Sequence, residues 1–268
     1  MLHSNTIIQK NLRYWTHRAA SYSTVNQEEL ADGHRSRWSA ELCRQIDDRF
    51  PQERREDIHI LEVGTGPGFF AILLAEAGYT VTAIDLTPNM LSEARKNAGD
   101  LVHKINFLEM NAEALQFADA AFHVVVSRNL TWNLPHPELA YAEWCRVLAP
   151  GGLLLNFDAN WYAYLFDDTA LRAYRQDREN SAKLGLGDIN IGENFDIMEE
   201  IACQVPLSAI KRPDWDVGIL AGLGLRVDTD CRVWERVWDQ QERTNCASTP
   251  MFLIRGEKGS DFLSNTVI

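Results

Sequence analysis

The chain has 268 residues, 46% of them apolar, with 38 acidic against 26 basic side chains and a net charge of −12. That length holds one large domain or two small ones, and that apolar content is ample for a core. The acidic balance argues against nucleic acid as main partner, since a phosphate backbone calls for clustered Lys and Arg, and no stretch approaches the ~20 apolar residues of a membrane span.

Taken in chain order, residues 5–22 place Ile8, Leu12, Trp15 and Ala19 at helical spacing. Residues 26–49 form a second helix candidate, with Asn26 as its cap and Glu28 and Glu29 in its first turn. Pro51 and the charged run after it mark a loop. Strands are predicted at Ile58–Val63, Tyr79–Ile84, Lys104–Leu108, His123–Ser127 and Leu153–Phe157. Helices are predicted between them at Phe69–Ala77, Pro88–Ala98 and Pro137–Val147. Strands alternating with helices imply a parallel, doubly wound sheet. From 158 to 212 that rhythm stops: Asp168–Lys183 and Asp196–Cys203 read as helices around a loop at 185–194. It returns with a helix at Pro213–Leu223, strands at Leu225–Val233 and Thr249–Gly256, and a frayed tail from 257. The predicted organisation is an N-terminal helical cap segment (1–50), a cofactor-binding core (51–157), a helical cap insertion (158–212) and the end of the core sheet with its tail (213–268).

The five cysteines, Cys43, Cys145, Cys203, Cys231 and Cys246, show no C-x-x-C spacing. Reduced, buried, inert thiols in a cytoplasmic protein are the expectation, and the first twenty residues lack the layout of a signal peptide.

The most informative stretch is Leu61-Glu-Val-Gly-Thr-Gly-Pro-Gly-Phe69, between a strand and a helix. Glycines at 64, 66 and 68 allow a sharp turn and close ligand approach, and the helix start offers free N–H groups. A dinucleotide fingerprint has its third glycine three residues after the second; here it follows after two. This E-x-G-x-G-x-G pattern resembles the first motif of class I S-adenosylmethionine-dependent methyltransferases. Glu143-Trp-Cys-Arg-Val-Leu-Ala-Pro-Gly-Gly152 resembles the same family's E-x-x-R-V-L-x-P-G-G, whose role is structural. The resemblance covers residues 56–157 closely and 213–256 by layout.

The family implies an α/β fold: a doubly wound, mostly parallel seven-stranded, Rossmann-like sheet whose final strand runs antiparallel between its neighbours. A helical N-terminal segment and an insertion after strand five would form a cap. It also implies S-adenosylmethionine as cofactor, with S-adenosylhomocysteine as product, and a small-molecule acceptor. Glu62, Gly64, Thr65, Gly66 and Gly68 belong to the loop motif. Asp85, ending strand two, can accept two hydrogen bonds from a ribose diol, a device that nicotinamide enzymes share. After it the family has an apolar residue on the adenine, here Leu86 or Met90; core packing of an amphipathic helix is the other reading. Asn111, with Ala112 and Glu113, stands where the family commonly has Asp facing the adenine amino group, or is simply a turn residue. Arg128 and Asn129, after strand four, are candidates for the methionine end, and an exposed turn is their alternative. Tyr14, Arg18 and Tyr22 share one helical face and resemble a segment that folds over the cofactor; packing explains that spacing equally.

Trp132, Asn160 and Trp161 are substrate-side candidates. A general base is needed only for an acceptor protonated at neutral pH, and Asp158, His136, His17 and Tyr162 are the candidates. No metal-ligand spacing is present, so no metal is expected, and oligomeric state is not legible. Three other readings stay open: a nicotinamide oxidoreductase, a methyltransferase-like binding protein without turnover, and a methyltransferase acting on protein or nucleic acid. The N/D-P-P-Y signature of N6 enzymes is absent after strand four.

Overall fold

The computed structural model describes residues 2–187 and 195–260, with side chains for 6–187 and 196–260. The apolar runs become β1 (His59–Val63), β2 (Thr80–Asp85), β3 (Ile105–Glu109), β4 (Phe122–Arg128) and β5 (Leu148–Asp158), all parallel; β6 (Leu225–Asp230) and β7 (Phe252–Lys258) close the sheet. The order is β3-β2-β1-β4-β5-β7-β6, with β7 antiparallel to both β5 and β6. Strand residues alternate between two cores, as a period of two requires. Ile60, Val124 and Val126 face a core with Trp38, Phe70 and Leu91. Leu61, Val63 and Val125 face another with Tyr141, Trp144 and Leu220. Helices α2 (Gly33–Arg49), α3 (Phe69–Glu76) and α4 (Pro88–Ala98) cover the first face, and α5 (Pro137–Val147) and α8 (Asp214–Gly222) the second. This is the doubly wound sheet the alternation predicts.

The N-terminus differs from expectation. Residues Leu2–Ala31 form one helix, α1, without a break at 22–26. The stop comes at Asp32, whose side chain accepts the His34 amide at 2.7 Å and caps α2. Asn26 instead lies buried in mid-helix and donates to Glu29 at 3.0 Å. Both residues are good caps by type, and the break falls at Asp32, while Asn26 is packed inside α1. The later strands also shift. The chain leaves β6 at Asp230 and forms two short helices, α9 (Trp234–Val237) and α10 (Gln240–Asn245); β7 then runs to Lys258, through what was expected to be tail. Residues 261–268, the rest of that tail, and 188–194 of the predicted loop lie outside the described residues.

Between β5 and α8 stand α6 (Asp168–Lys183) and α7 (Phe195–Ala202). Met198, Ile201, Ala202 and Val205 build a small third core with Ile7 and Trp132, and Tyr14, Trp15 and Tyr162 pack against it. The amphipathic face of α1 thus finds its partner in the insertion.

Candidate functional site

The turn after β1 puts Gly64, Gly66 and Gly68 all at positive φ, +74°, +52° and +95°. Their surroundings differ. A Cβ on Gly68 would meet the Ala94 Cβ at 3.1 Å, so Gly68 lets α3 approach α4. A Cβ on Gly66 would find only the Tyr22 ring, at 3.8 Å, so its front is the open one. Glu62 is buried behind the loop and accepts from the Thr65 hydroxyl at 2.6 Å; burial pushes its carboxyl up to about 7. Asp85, at the end of β2, accepts the Gly66 amide at 2.9 Å and the Thr87 amide at 2.8 Å. Burial raises its pKa, and these two amides oppose the rise. Each carboxylate oxygen takes one amide, leaving acceptor capacity on both.

These groups open on a cavity at the carboxyl ends of the strands. Of the sequence-predicted residues, Gly64, Gly66, Asp85, Leu86, Met90, Asn111, Ala112, Glu113, Arg128, Asn129 and Tyr22 line it. Glu62, Thr65 and Gly68 do not; they shape the loop from behind. Tyr14 and Arg18 do not either. Tyr14 turns its ring edge to Trp15, 5.1 Å between centroids, against the cap core. The face of α1 that lines the cavity runs instead through Ile8, Asn11, Leu12, Trp15 and Tyr22. Asn111 is a turn residue as well as a wall: its side chain accepts the Glu113 amide at 2.9 Å.

Arg128 keeps its place but not a free charge. Its guanidinium lies 2.5 Å from Glu29 and over the rings of Trp38 and Phe69, 4.9 Å from each centroid. Burial works against that charge, and Glu29 more than restores it. Asn129 adopts φ +56°, a left-handed conformation Asn tolerates better than most residues.

A second cavity, about 260 Å³, adjoins the first, and Trp15, Tyr22, Arg128 and Asn129 line both. Trp132, Trp161 and Tyr162 lie here, joined by Tyr164, Tyr174, Trp238, Glu242, Cys246 and Met251. Asn160 is elsewhere: its carboxamide donates to the Arg212 carbonyl and accepts the Arg212 amide, each at 3.0 Å. Asp158 is fully buried under the sheet edge, taking Arg212 Nη1 at 2.6 Å and the amides of Trp132 and Ala159. It positions backbone and reaches neither cavity wall. His17 and His136 also line neither cavity. Tyr162 does, and burial pushes its hydroxyl pKa well up, so it stays protonated.

Pattern reading misses the residues that tertiary folding delivers. Glu242 and Trp238 come from a segment with no strand or helix period of its own. All five cysteines are free; Cys145 and Cys246 are buried, whereas Cys203 and Cys231 are exposed, contrary to the expectation for all five. His34, Asp239 and Glu242 form a group of metal-ligand type, their ligand atoms within 4.8 Å of one another. There the imidazole itself bridges to Glu242 at 2.7 Å. Residues 34 and 239 are too distant in sequence for spacing to reveal the group.

The cavity also fits a nucleotide cofactor on its unsatisfied groups. The side-chain oxygens of Asn11, Asn129 and Asn133, three wall residues, are buried without a hydrogen-bond partner among the described residues. Buried acceptors of this kind call for donors, and the hydroxyl and amino groups of S-adenosylmethionine are donors. The Gly66 opening and the remaining acceptor capacity of Asp85 agree with it. Sheet order, glycine turn and the acid after β2 together define the class I, Rossmann-like methyltransferase fold.

Residues 61–156 match the family model described as "Methyltransferase domain". A segment of 98 residues is 41% identical to a demethylmenaquinone methyltransferase of Thermus thermophilus, covering 36% of this chain and 44% of that one. Another, of 120 residues, is 38% identical to a malonyl-(acyl-carrier protein) O-methyltransferase of Erwinia pyrifoliae, covering 43% of this chain and 44% of that one. The chain thus spans less than half the length of either relative. The crystal structure of an S-adenosylmethionine-dependent methyltransferase from Aquifex aeolicus shares the fold, with a TM-score of 0.52 at 17% identity over 86% of this chain and 96% of that one. Over residues 61–156 the chain thus resembles a methyltransferase domain, and its fold is that of S-adenosylmethionine-dependent methyltransferases. Among the described residues no helix is long and apolar enough to cross a membrane.

Proposed function

We propose that the protein transfers the methyl group of S-adenosylmethionine to a small-molecule acceptor by in-line displacement. The observation that carries this reading is the wall common to the two cavities. Asp85, Gly66 and Asn111 line one side; the aromatic cage of Trp132, Trp161 and Tyr162 lines the other; Trp15 and Tyr22 stand between. The bound cofactor supplies an already activated methyl group. What the chain must add is alignment of the acceptor and exclusion of water. The ring-lined second cavity, about 260 Å³, suits an apolar or planar small molecule better than a polymer. The two methyltransferase relatives, named for demethylmenaquinone and for malonyl-(acyl-carrier protein), support an acceptor other than nucleic acid.

Calorimetric titration with S-adenosylhomocysteine and with NAD, followed by incubation of the protein with labelled donor and fractionated metabolites, tests this. Binding of the sulfur nucleotide and label in a low-mass product are expected. Tight NAD binding without response to the sulfur nucleotide, or label only in protein or nucleic acid, refutes it.

A further inference from the structure

The second cavity also carries information about the atom that is methylated. Its wall is lined by eight aromatic residues, among them Trp132, Trp161, Tyr162, Tyr164 and Trp238. Trp132 and Tyr162 lie 4.9 Å apart between centroids, and Tyr164 stacks on Tyr174 at 4.1 Å. Ring faces are the negative end of the aromatic quadrupole and attract cations. One ring already holds one: the Arg178 guanidinium lies 4.8 Å from the Tyr174 centroid.

The charged groups lean the same way. Arg128 is the cation on the wall itself, and Glu29 neutralises it. Glu242 also lines the wall, and behind it His34 is shared among Glu242, Asp32 and Asp239. Four carboxylates, Glu29, Glu242, Asp32 and Asp239, thus stand against two cations, Arg128 and His34. No lysine or histidine faces the cavity among the described residues that line it. An anionic acceptor finds no free cation here.

A hydroxyl acceptor is no better served. Methylating an alcohol or phenol requires removal of its proton in the transition state. Asp158 is tied to Arg212, and neither His17 nor His136 lines the cavity. Glu29 and Glu242 are held in ion pairs. An amine arrives as an ammonium, which the rings attract, and must also lose a proton. At a pKa of about 10.4 it gives that proton to water before transfer and leaves a neutral free base with the attacking lone pair, whereas an alcohol or phenol would leave an anion that finds no free cation here.

We propose that this cavity binds a primary or secondary amine bearing an apolar or planar substituent, and that its nitrogen is the methyl acceptor. The inference rests on the methyltransferase reading above. In the step, the nitrogen lone pair forms the N–C bond while the C–S bond breaks and its electron pair stays on sulfur. The positive charge passes from sulfonium to ammonium, and the extra N–H proton is lost to water after release. From the free base onward the charge remains +1, so an aromatic wall that includes Trp15 and Tyr22, common to both cavities, serves it from start to finish.

The test uses protein saturated with S-adenosylhomocysteine, titrated calorimetrically with three probes of one frame: 2-phenylethylamine, 2-phenylethanol and 3-phenylpropionate. The amine is expected to bind at least tenfold more tightly than either other probe. Trp161→Leu and Tyr162→Leu should each weaken amine binding about tenfold, Tyr162→Phe should retain it, and S-adenosylhomocysteine affinity should be unchanged in all three. Labelled donor should then place its methyl on nitrogen. Equal or absent affinity for the three probes, or label on oxygen or carbon, overturns the amine assignment while leaving the methyltransferase reading intact. Failure of S-adenosylhomocysteine itself to bind defeats both.

Discussion

The carboxylate of Asp85 accepts the backbone amide of Gly66 at 2.9 Å, so the acid that ends β2 braces the glycine turn that ends β1. One side chain thereby shapes the loop and presents acceptors to the ribose. Asp85→Ala should weaken S-adenosylhomocysteine binding by about 1.5–3 kcal/mol, the scale of hydrogen bonds to charged groups. Calorimetry measures it; an unchanged affinity removes Asp85 from the site.

The second and third loop glycines, Gly66 and Gly68, should separate function from stability. Gly66→Val has space for its first carbon apart from the Tyr22 ring at 3.8 Å, so the strain of a left-handed residue, about 1–2 kcal/mol, is its main folding cost. Its side chain should nonetheless obstruct the cofactor. Gly68→Ala drives a methyl into the Ala94 Cβ at 3.1 Å and should lower thermal stability further. Thermal melts and ligand titration of both variants read the difference; equal melting temperatures with equal binding loss would contradict the division.

Asp158 and Asp216 share Arg212, and all three side chains are fully buried. Removing one carboxylate leaves part of a buried charge unanswered, which typically costs about 3–5 kcal/mol. Asp216→Asn and Asp158→Asn should therefore both lower the denaturation midpoint. Asp158→Asn should keep cofactor affinity in whatever fraction folds. If it instead abolishes transfer with stability intact, Asp158 is a base and its position as a brace is misread.

What could be read from the chain was whatever repeats within a few residues. Val124–Val126 declare a strand by alternation and β-branching, and Glu143 with Arg146 declare a helical pair, which forms at 2.8 Å. The break between α1 and α2 could not be placed, because Asn26 and Asp32 are equally good caps and only packing decides. Tyr14 and Arg18 share a face with Tyr22, but thirty residues of unbroken helix give that face two neighbours, and the cap core claims Tyr14. Asp158 sits at the ligand edge in sequence, yet Arg212, 54 residues on, draws it inward. Nor could any spacing show that Glu29, 99 residues before Arg128, would consume its charge.

His34 links the start of α2 to α10. Burial alone would depress its pKa, but Glu242 at 2.7 Å and Asp32 at 2.8 Å outweigh burial and raise it from 6.5 to about 9. A folded-state value above the unfolded one means the imidazolium contributes stability fully below about pH 6.5 and loses it as pH rises through about 9. Denaturation from pH 6 to 10 should show that decline, and His34→Gln should flatten it. An identical slope in the variant would assign the decline to other groups.

The last expectation concerns the helix over the site. α1 contributes Ile8, Asn11, Leu12, Trp15 and Tyr22 to the cofactor cavity, while Asp85 and the glycine loop come from the sheet. Burying one large apolar side chain on such a helix contributes about 1.5–3 kcal/mol, so α1 docks through side-chain packing, a few side-chain hydrogen bonds and the Glu29–Arg128 pair, not through sheet hydrogen bonds. It should open more easily than the strands in the free protein and close when ligand joins both walls. Trp161, Tyr162 and Tyr174 face only the second cavity, so the insertion should respond to the acceptor and not to the cofactor. Hydrogen exchange read in steps separates the two. S-adenosylhomocysteine should slow exchange across residues 8–22 and the glycine loop. Adding an acceptor should then slow it across 161–174. Protection confined to the glycine loop and β2, with 8–22 unchanged, would make α1 a fixed wall and place the closing element elsewhere.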